Sequence, residues 1–141
     1  MKNNIVEILY FFSTFFALYI MYIINVGGNM FKYNIEYRKN VLFIRLIGNL
    51  NINNINIINN ELNFLINQLG FTNIVFNFEQ LNYIDIYSIN NIIGWYNLIK
   101  ERKGVSFICG VHGYDNRYNL LNYMNEIGNE ISAIKVINWN N

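Results

Sequence analysis

Short apolar runs alternate with longer segments of helical periodicity, and this alternation is the feature that most constrains the fold. The runs at 32–38 and 41–48 are typical of two adjacent strands. Across residues 52–69 the apolar side chains recur at steps of three and four, which predicts an amphipathic helix ending at Gly70. They are Ile55, Ile58, Leu62, Leu65, Ile66 and Leu69.

The second half of the chain continues the alternation. Strands joined by helical segments predict an α/β fold, with a mixed four- to five-stranded sheet and helices packed on it in the order β-β-α-β-α-β-α-β. The predicted elements are a strand at 73–78, a helix between Asp85 and Gly104, a strand at 105–111, a helix at 117–127 capped by Asp115 and Asn116, and a last strand at 131–137.

The composition limits the classes of partner. The chain of 141 residues is 53% hydrophobic but only 13% charged, and its net charge is +1. No basic patch of the kind that binds nucleic acid is therefore expected. Asparagine is abundant and proline is absent, which indicates drift toward AT-rich codons. The one cysteine, Cys109, excludes an internal disulfide and is expected to pack as a small hydrophobic side chain.

The first 29 residues stand apart from the rest. Residues 8–24 form an uncharged apolar run of seventeen residues, which is at the short limit for a membrane-spanning helix. One interpretation is an N-terminal anchor that places the protein at the inner face of the membrane. The other is a translated leader, since codons for residues 27–30 can form a purine-rich run before an ATG, so that the functional chain begins at Met30 and is cytoplasmic. In both cases residues 30–141 form the folded domain.

Residue patterns typical of catalysis are scarce. The glycines match no phosphate-binding loop, and a single histidine with a single cysteine makes a metal site improbable. Ser88, His112 and Asp85 can be written as a triad, but nothing in their spacing favours it, and His112 is typical of a loop that follows a strand. We expect neither a catalytic residue, nor a cofactor, nor a metal.

The entrance of the second helix carries the more informative residues. Asp85 precedes the helix and is well placed to cap its free N–H groups, and Ser88 follows three residues later. A hydroxyl at a helix N-terminus can also receive a phosphate, because the positive end of the helix dipole favours an anion.

Three stretches together with the element order resemble the STAS domain of bacterial anti-sigma factor antagonists. The stretches are RLIGNLN at 45–51, IVFNFEQLNYID at 74–85 and GWY at 94–96. In that family an acidic residue is followed by Ser-Ser-Gly-Leu-Gly at the helix entrance. Asp85 matches the acidic residue, whereas Tyr87 occupies the second serine position and Ser88 the first glycine.

The resemblance implies a small non-enzymatic protein that binds an anti-sigma factor or a related serine kinase of the GHKL type and so controls sigma-dependent transcription. The phosphorylated serine of the family is replaced by Tyr87, so the site is degenerate and Ser88 is the displaced candidate for phosphorylation. Two alternatives stay open, a membrane-anchored STAS-like scaffold or transport accessory and a small flavodoxin-like ligand-binding domain. The expected partner-binding residues are Asp85, Tyr87, Ser88, Asn91, Asn49 and Asn51.

Overall fold

The computed structural model describes residues 7–13, 17–26, 29–112 and 116–139, with side chains from residue 30 onward except 116 and 118. These residues form seven strands, three α-helices and one 3-10 helix. In chain order they are β1 Glu7–Ser13, β2 Ala17–Val26, β3 Asn29–Arg38, β4 Val41–Leu50, α1 Ile55–Asn67, β5 Asn73–Ile84, α2 Ile86–Glu101, β6 Val105–Cys109, the 3-10 helix Asn116–Asn122, β7 Asn125–Glu126 and α3 Glu130–Trp139.

The strands form one mixed sheet in the spatial order β1-β2-β3-β4-β5-β6-β7. Neighbours from β1 to β4 are antiparallel, and neighbours from β4 to β7 are parallel. Between β3 and β4, Lys39 and Asn40 both have positive φ, as the tight turn of a two-residue hairpin requires. The predicted α/β class is confirmed, and the strands from residue 29 onward number five, as expected.

The main hydrophobic core lies on the sheet face that carries α1, α2 and the 3-10 helix. The predicted apolar stripe of α1 is buried there, except that Leu69 lies beyond the end of the helix and is 53% exposed. Phe76 of the central strand β5 stacks on Trp95 of α2, with ring centroids 5.9 Å apart. Placing both long helices on one face is what parallel strands joined by crossovers of one hand produce.

The prediction of a strand at 131–137 is wrong, because these residues lie in α3. Four of the seven are isoleucine or valine, and these β-branched residues favour a strand in isolation. The side chain of Asn129 instead accepts a hydrogen bond from the N–H of Ser132 at 2.8 Å, which caps a helix. Ala133 and Ile137, four residues apart, then pack on the second face of the sheet.

The helix predicted at 117–127 is also wrong in extent and type. The 3-10 helix ends at Asn122, and Asn125–Glu126 pair with β6 as the last strand, in parallel register with Phe107 and Ile108. The proposed cap residue Asp115 lies outside the described residues, whereas Asn116 begins the 3-10 helix. Hydrogen bonding to the edge of β6 is therefore more favourable for these two residues than continuation of the helix that the apolar spacing indicated.

The N-terminal apolar segment forms strands in its described parts rather than a helix. β1 and β2 pair as a hairpin, and β2 pairs with β3 from Tyr19 opposite Glu36 to Val26 opposite Asn29. The helix of the membrane-anchor interpretation is therefore not what 7–13 and 17–26 form. Over the described residues, no helix has the length and apolar character needed to cross a bilayer. The choice of start, Met1 or Met30, stays a prediction.

Candidate functional site

The entrance of α2 lies where the ends of β4 and β5 meet. The parallel register places Asn49 beside Tyr83 and Leu50 beside Ile84, and the N–H of Asp85 donates to the carbonyl of Leu50 at 3.2 Å. We call the surface formed by residues 49–52, 83–87 and Asn91 the α2 corner. Five of the six predicted partner-binding residues lie on this surface. The sixth, Ser88, lies directly beneath it.

Asp85 holds the corner together. One carboxylate oxygen accepts a hydrogen bond from the N–H of Ser88 at 2.8 Å, which is the predicted helix cap. The other oxygen accepts from the N–H of Ile52 at 2.8 Å, in the loop between β4 and α1. A single side chain thus connects the start of α2 to the neighbouring loop, and both of its carboxylate oxygens accept backbone hydrogen bonds.

Two substitutions of Asp85 are expected to destabilise the corner to different extents. Asp85→Ala removes both backbone bonds and should lower the free energy of unfolding by about 1–2 kcal/mol. Asp85→Asn keeps one carbonyl oxygen for the Ser88 N–H and should cost less, because only the bond to the loop is lost. Urea unfolding followed by circular dichroism measures both, and equal stability of all three proteins would contradict the role of Asp85.

Ser88 is not on the surface of the corner. Its side chain is fully buried, and within the described part of the chain its hydroxyl has no hydrogen-bonding partner. A buried hydroxyl without a partner carries a desolvation cost. A kinase cannot reach this oxygen in the folded protein unless the first turn of α2 opens.

Tyr87 and Asn91 do face outward. Tyr87 is 58% exposed, and the amide of Asn91 donates to the carbonyl of Tyr87 at 2.9 Å, one turn along the helix. This bond orders the first turn of α2 without occupying the tyrosine hydroxyl. The ring of Tyr87 is therefore presented on a rigid backbone.

The loop from Asn49 to Asn54 is built from side-chain amides that bond to its own backbone. The buried side chain of Asn54 accepts from the N–H of Asn51 at 2.9 Å and donates to the carbonyl of Asn49 at 2.8 Å. The side chain of Asn51 accepts from the N–H of Asn53 at 2.9 Å. Asn49 and Asn51 are thus half-buried framework residues of the corner as well as part of its surface.

Sequence reasoning missed the apolar part of the corner. Ile52, Tyr83 and Ile86 are each about half exposed and belong to the same corner as Tyr87. Strict alternation from the buried Leu81 would place Tyr83 on the buried face, so the sequence carried no signal for its exposure. The register shift between the pairs Gly48–Leu81 and Asn49–Tyr83 breaks this alternation. Asp85 is the one charged residue among those that define the corner, so its surface is mainly apolar and amide in character.

The remaining chemically suggestive residues lie elsewhere. His112 pairs with the carboxylate of Glu79 at 3.0 Å, both side chains being exposed, so Ser88, His112 and Asp85 are not brought together as a triad. Cys109 is buried beneath α3, as expected for a small hydrophobic side chain. Burial is the main cause that raises the pKa of its thiol to about 12.

The sequence model of the STAS domain family matches residues 32–127, which is more than half of the chain and includes the whole α2 corner. The chain belongs to the STAS domain family. β1, β2 and α3 lie outside the matched range. The STAS domain assignment confirms the family resemblance carried by residues 45–51, 74–85 and 94–96.

Solved structures share the STAS fold of this chain. The unphosphorylated anti-sigma factor antagonist SpoIIAA is 19% identical, with a TM-score of 0.64 over 75% of this chain and 97% of its own. The phosphorylated form of the Bacillus cell fate determinant SpoIIAA is 21% identical, with a TM-score of 0.63 over 74% and 98%. A candidate anti-sigma factor antagonist from Thermotoga maritima is 15% identical, with a TM-score of 0.63 over 75% and 94%. Likeness at this level of identity establishes the fold alone.

Proposed function

We propose that this STAS domain is a non-enzymatic regulator that binds an anti-sigma factor, or a related GHKL-type serine kinase, through the α2 corner and so controls sigma-dependent transcription. The observation that carries the proposal is the exposed ring of Tyr87 at the capped entrance of α2. The protein would act in the cytoplasm.

The chemistry of the corner supports protein binding. Tyrosine is enriched at the centres of protein interfaces, because it buries a large rigid ring at a small entropic cost. Ile52, Tyr83 and Ile86 add further half-exposed apolar surface to the same corner. Both oxygens of Asp85 already accept backbone hydrogen bonds, so apolar contacts should contribute more to affinity than charge does.

Phosphorylation of a serine at the corner is not expected to regulate binding. Tyr87 holds the position where the family carries its phosphorylated serine, and Ser88 is buried beneath the helix entrance. Binding by this protein is therefore expected to persist in the presence of an active serine kinase. Phosphorylation of Ser88 would require local unfolding of the first turn of α2.

The test is capture of the partner with Tyr87 as the variable. Tagged protein is used to isolate anti-sigma factors and GHKL-type kinases, identified by mass spectrometry, and the affinity is then measured by calorimetry. Tyr87→Asp should weaken binding at least about tenfold, since loss of a central anchor costs more than 1.4 kcal/mol.

Phe64→Asp provides the matched control. Phe64 is 51% exposed in the second half of α1, an element that contributes no residue to the corner, and its replacement likewise exchanges an exposed aromatic ring for a carboxylate. This variant should bind as the unchanged protein does. Failure to capture any anti-sigma factor or kinase, or equal binding by both variants, would contradict the proposed function.

A further inference from the structure

The helix α3 covers a small apolar strip on the sheet face opposite α1 and α2. We call it the α3 strip, and it is formed by Val41, Phe43, Val75 and Cys109. α3 buries only Ala133 and Ile137 fully against this strip, whereas α1 buries five side chains in the main core. The apolar anchoring of α3 is therefore the weaker of the two.

An ion-pair cluster compensates for the small apolar contact. Nε and Nη2 of Arg45 donate to the two carboxylate oxygens of Glu130 at 2.7 and 2.6 Å. Arg45 also reaches Glu36 at 2.7 Å and Asn34 at 2.9 Å, and Asn77 donates to Glu130 at 2.8 Å. We call this cluster, which joins the first turn of α3 to β3, β4 and β5, the Arg45 clamp.

The clamp is substantially shielded from solvent. The side chain of Glu130 is 14% exposed and that of Arg45 is 26% exposed. A two-pronged arginine–carboxylate pair of this kind is stronger and more directional than a surface ion pair. Removing one partner leaves the other charge shielded and unpaired, which is a larger penalty than the loss of an exposed pair.

The outer face of α3 contributes no packing to the sheet. Ile131 is 62% exposed and Trp139 is 90% exposed. Beyond the clamp and the α3 strip, Asn138 donates to the carbonyl of Lys39 at 2.9 Å. Elements with few buried contacts open at lower free energy than the core of a domain does.

We propose that α3 is a detachable lid, which the Arg45 clamp holds closed and which opens to uncover the α3 strip while α1, α2 and the sheet remain folded. The open state presents four buried residues, including the thiol of Cys109, on the face that the α2 corner does not use. This inference does not depend on the proposed function.

Cys109 reports the opening directly, because it is the one cysteine of the chain. In the closed state Cys109 is 3% exposed and burial raises the pKa of its thiol to about 12, so the thiol should react slowly at pH 8. Once α3 leaves, the thiol is solvated and regains ordinary reactivity. The rate of modification by a disulfide reagent such as DTNB therefore measures how often α3 opens.

The full chain is tested with Glu130→Gln, which removes the charge that faces Arg45. Thiol modification should accelerate at least about tenfold relative to the unchanged protein. Because the charge of Glu130 also raises the pKa of the Cys109 thiol, Arg45→Gln is tested beside it: this variant breaks the same clamp but removes a cation that lowers the thiol pKa, so its modification accelerates only if α3 opens. Glu101→Gln, at the exposed end of α2, removes one negative charge away from the clamp and should react at the original rate. An unchanged or slower rate in Arg45→Gln, or equal acceleration in Glu101→Gln and Glu130→Gln, would overturn the proposal.

Urea separates opening of α3 from unfolding of the whole domain. Modification of Glu130→Gln should depend weakly on urea at low concentrations, because little surface is exposed when one helix leaves. Leu62→Ala, which weakens the main core, should instead give modification that follows global unfolding with its full urea dependence. If the modification of Glu130→Gln shows the same steep dependence, α3 does not open separately and the lid proposal fails.

Discussion

Phe76→Ala is expected to lower the free energy of unfolding by about 3–5 kcal/mol, a large part of the 5–15 kcal/mol typical of a domain. Phe76 lies fully buried on the central strand β5 and stacks on Trp95 of α2. The smaller side chain leaves a cavity that neither the sheet nor the helix can close, because the parallel pairs with β4 and β6 hold the strand in place. The midpoint and slope of urea unfolding measure the loss.

Phe64→Ala is the control for this change. The ring of Phe64 is half exposed on α1, so the same truncation should alter the free energy of unfolding by no more than about 0.5 kcal/mol. Phe76 also packs against α2, the helix that begins at the corner. A partly unfolded Phe76→Ala protein should therefore bind its partner less. Equal stability of the two variants would show that the contact between β5 and α2 does not contribute to the stability of the core.

Gly48→Ala should destabilise the protein by at least about 2 kcal/mol, although it adds only one methyl group. Gly48 has a φ of +88°, and a Cβ atom there would overlap the carbonyl oxygen of Met30 on the neighbouring strand. The residue also lies where the register between β4 and β5 shifts, immediately before Asn49. Strain at this position should therefore disturb the α2 corner as well as the sheet.

The same substitution at Gly94 should have the opposite sign. Gly94 lies within α2, and an added Cβ there meets no atom within 4 Å. Alanine should stabilise the helix by about 0.5–1 kcal/mol, because it loses less backbone entropy than glycine does. Chemical denaturation of both variants measures the contrast, and a Gly48→Ala protein as stable as Gly94→Ala would refute the argument from backbone conformation.

Periodicity was sufficient for the elements that bury one continuous face. The buried residues of α1 are five of the six apolar residues predicted from spacing, and Asp85 caps α2 as its sequence position indicates. Both features depend on contacts between residues three or four apart, which a sequence states directly. The two strands of the β3–β4 hairpin were predictable because they are adjacent in sequence and joined by a two-residue turn.

Segments whose form depends on distant partners were predicted poorly. Residues 131–137 are rich in β-branched side chains, yet Glu130 pairs with Arg45 across 85 positions and holds them in a helix. Residues 125–126 form a strand only because the edge of β6 is available to them. In both cases tertiary contacts outweigh intrinsic propensity.

The features of the candidate site also separate into those that local sequence predicted and those that depend on tertiary contacts. The sequence by itself determined the family, the helix cap at Asp85 and the replacement of the expected serine by Tyr87. Only the tertiary structure decided that Ser88 is buried and that Tyr87, Ile52 and Tyr83 are exposed. Local hydrogen bonds are encoded by neighbouring residues, whereas exposure depends on which surfaces the rest of the chain covers.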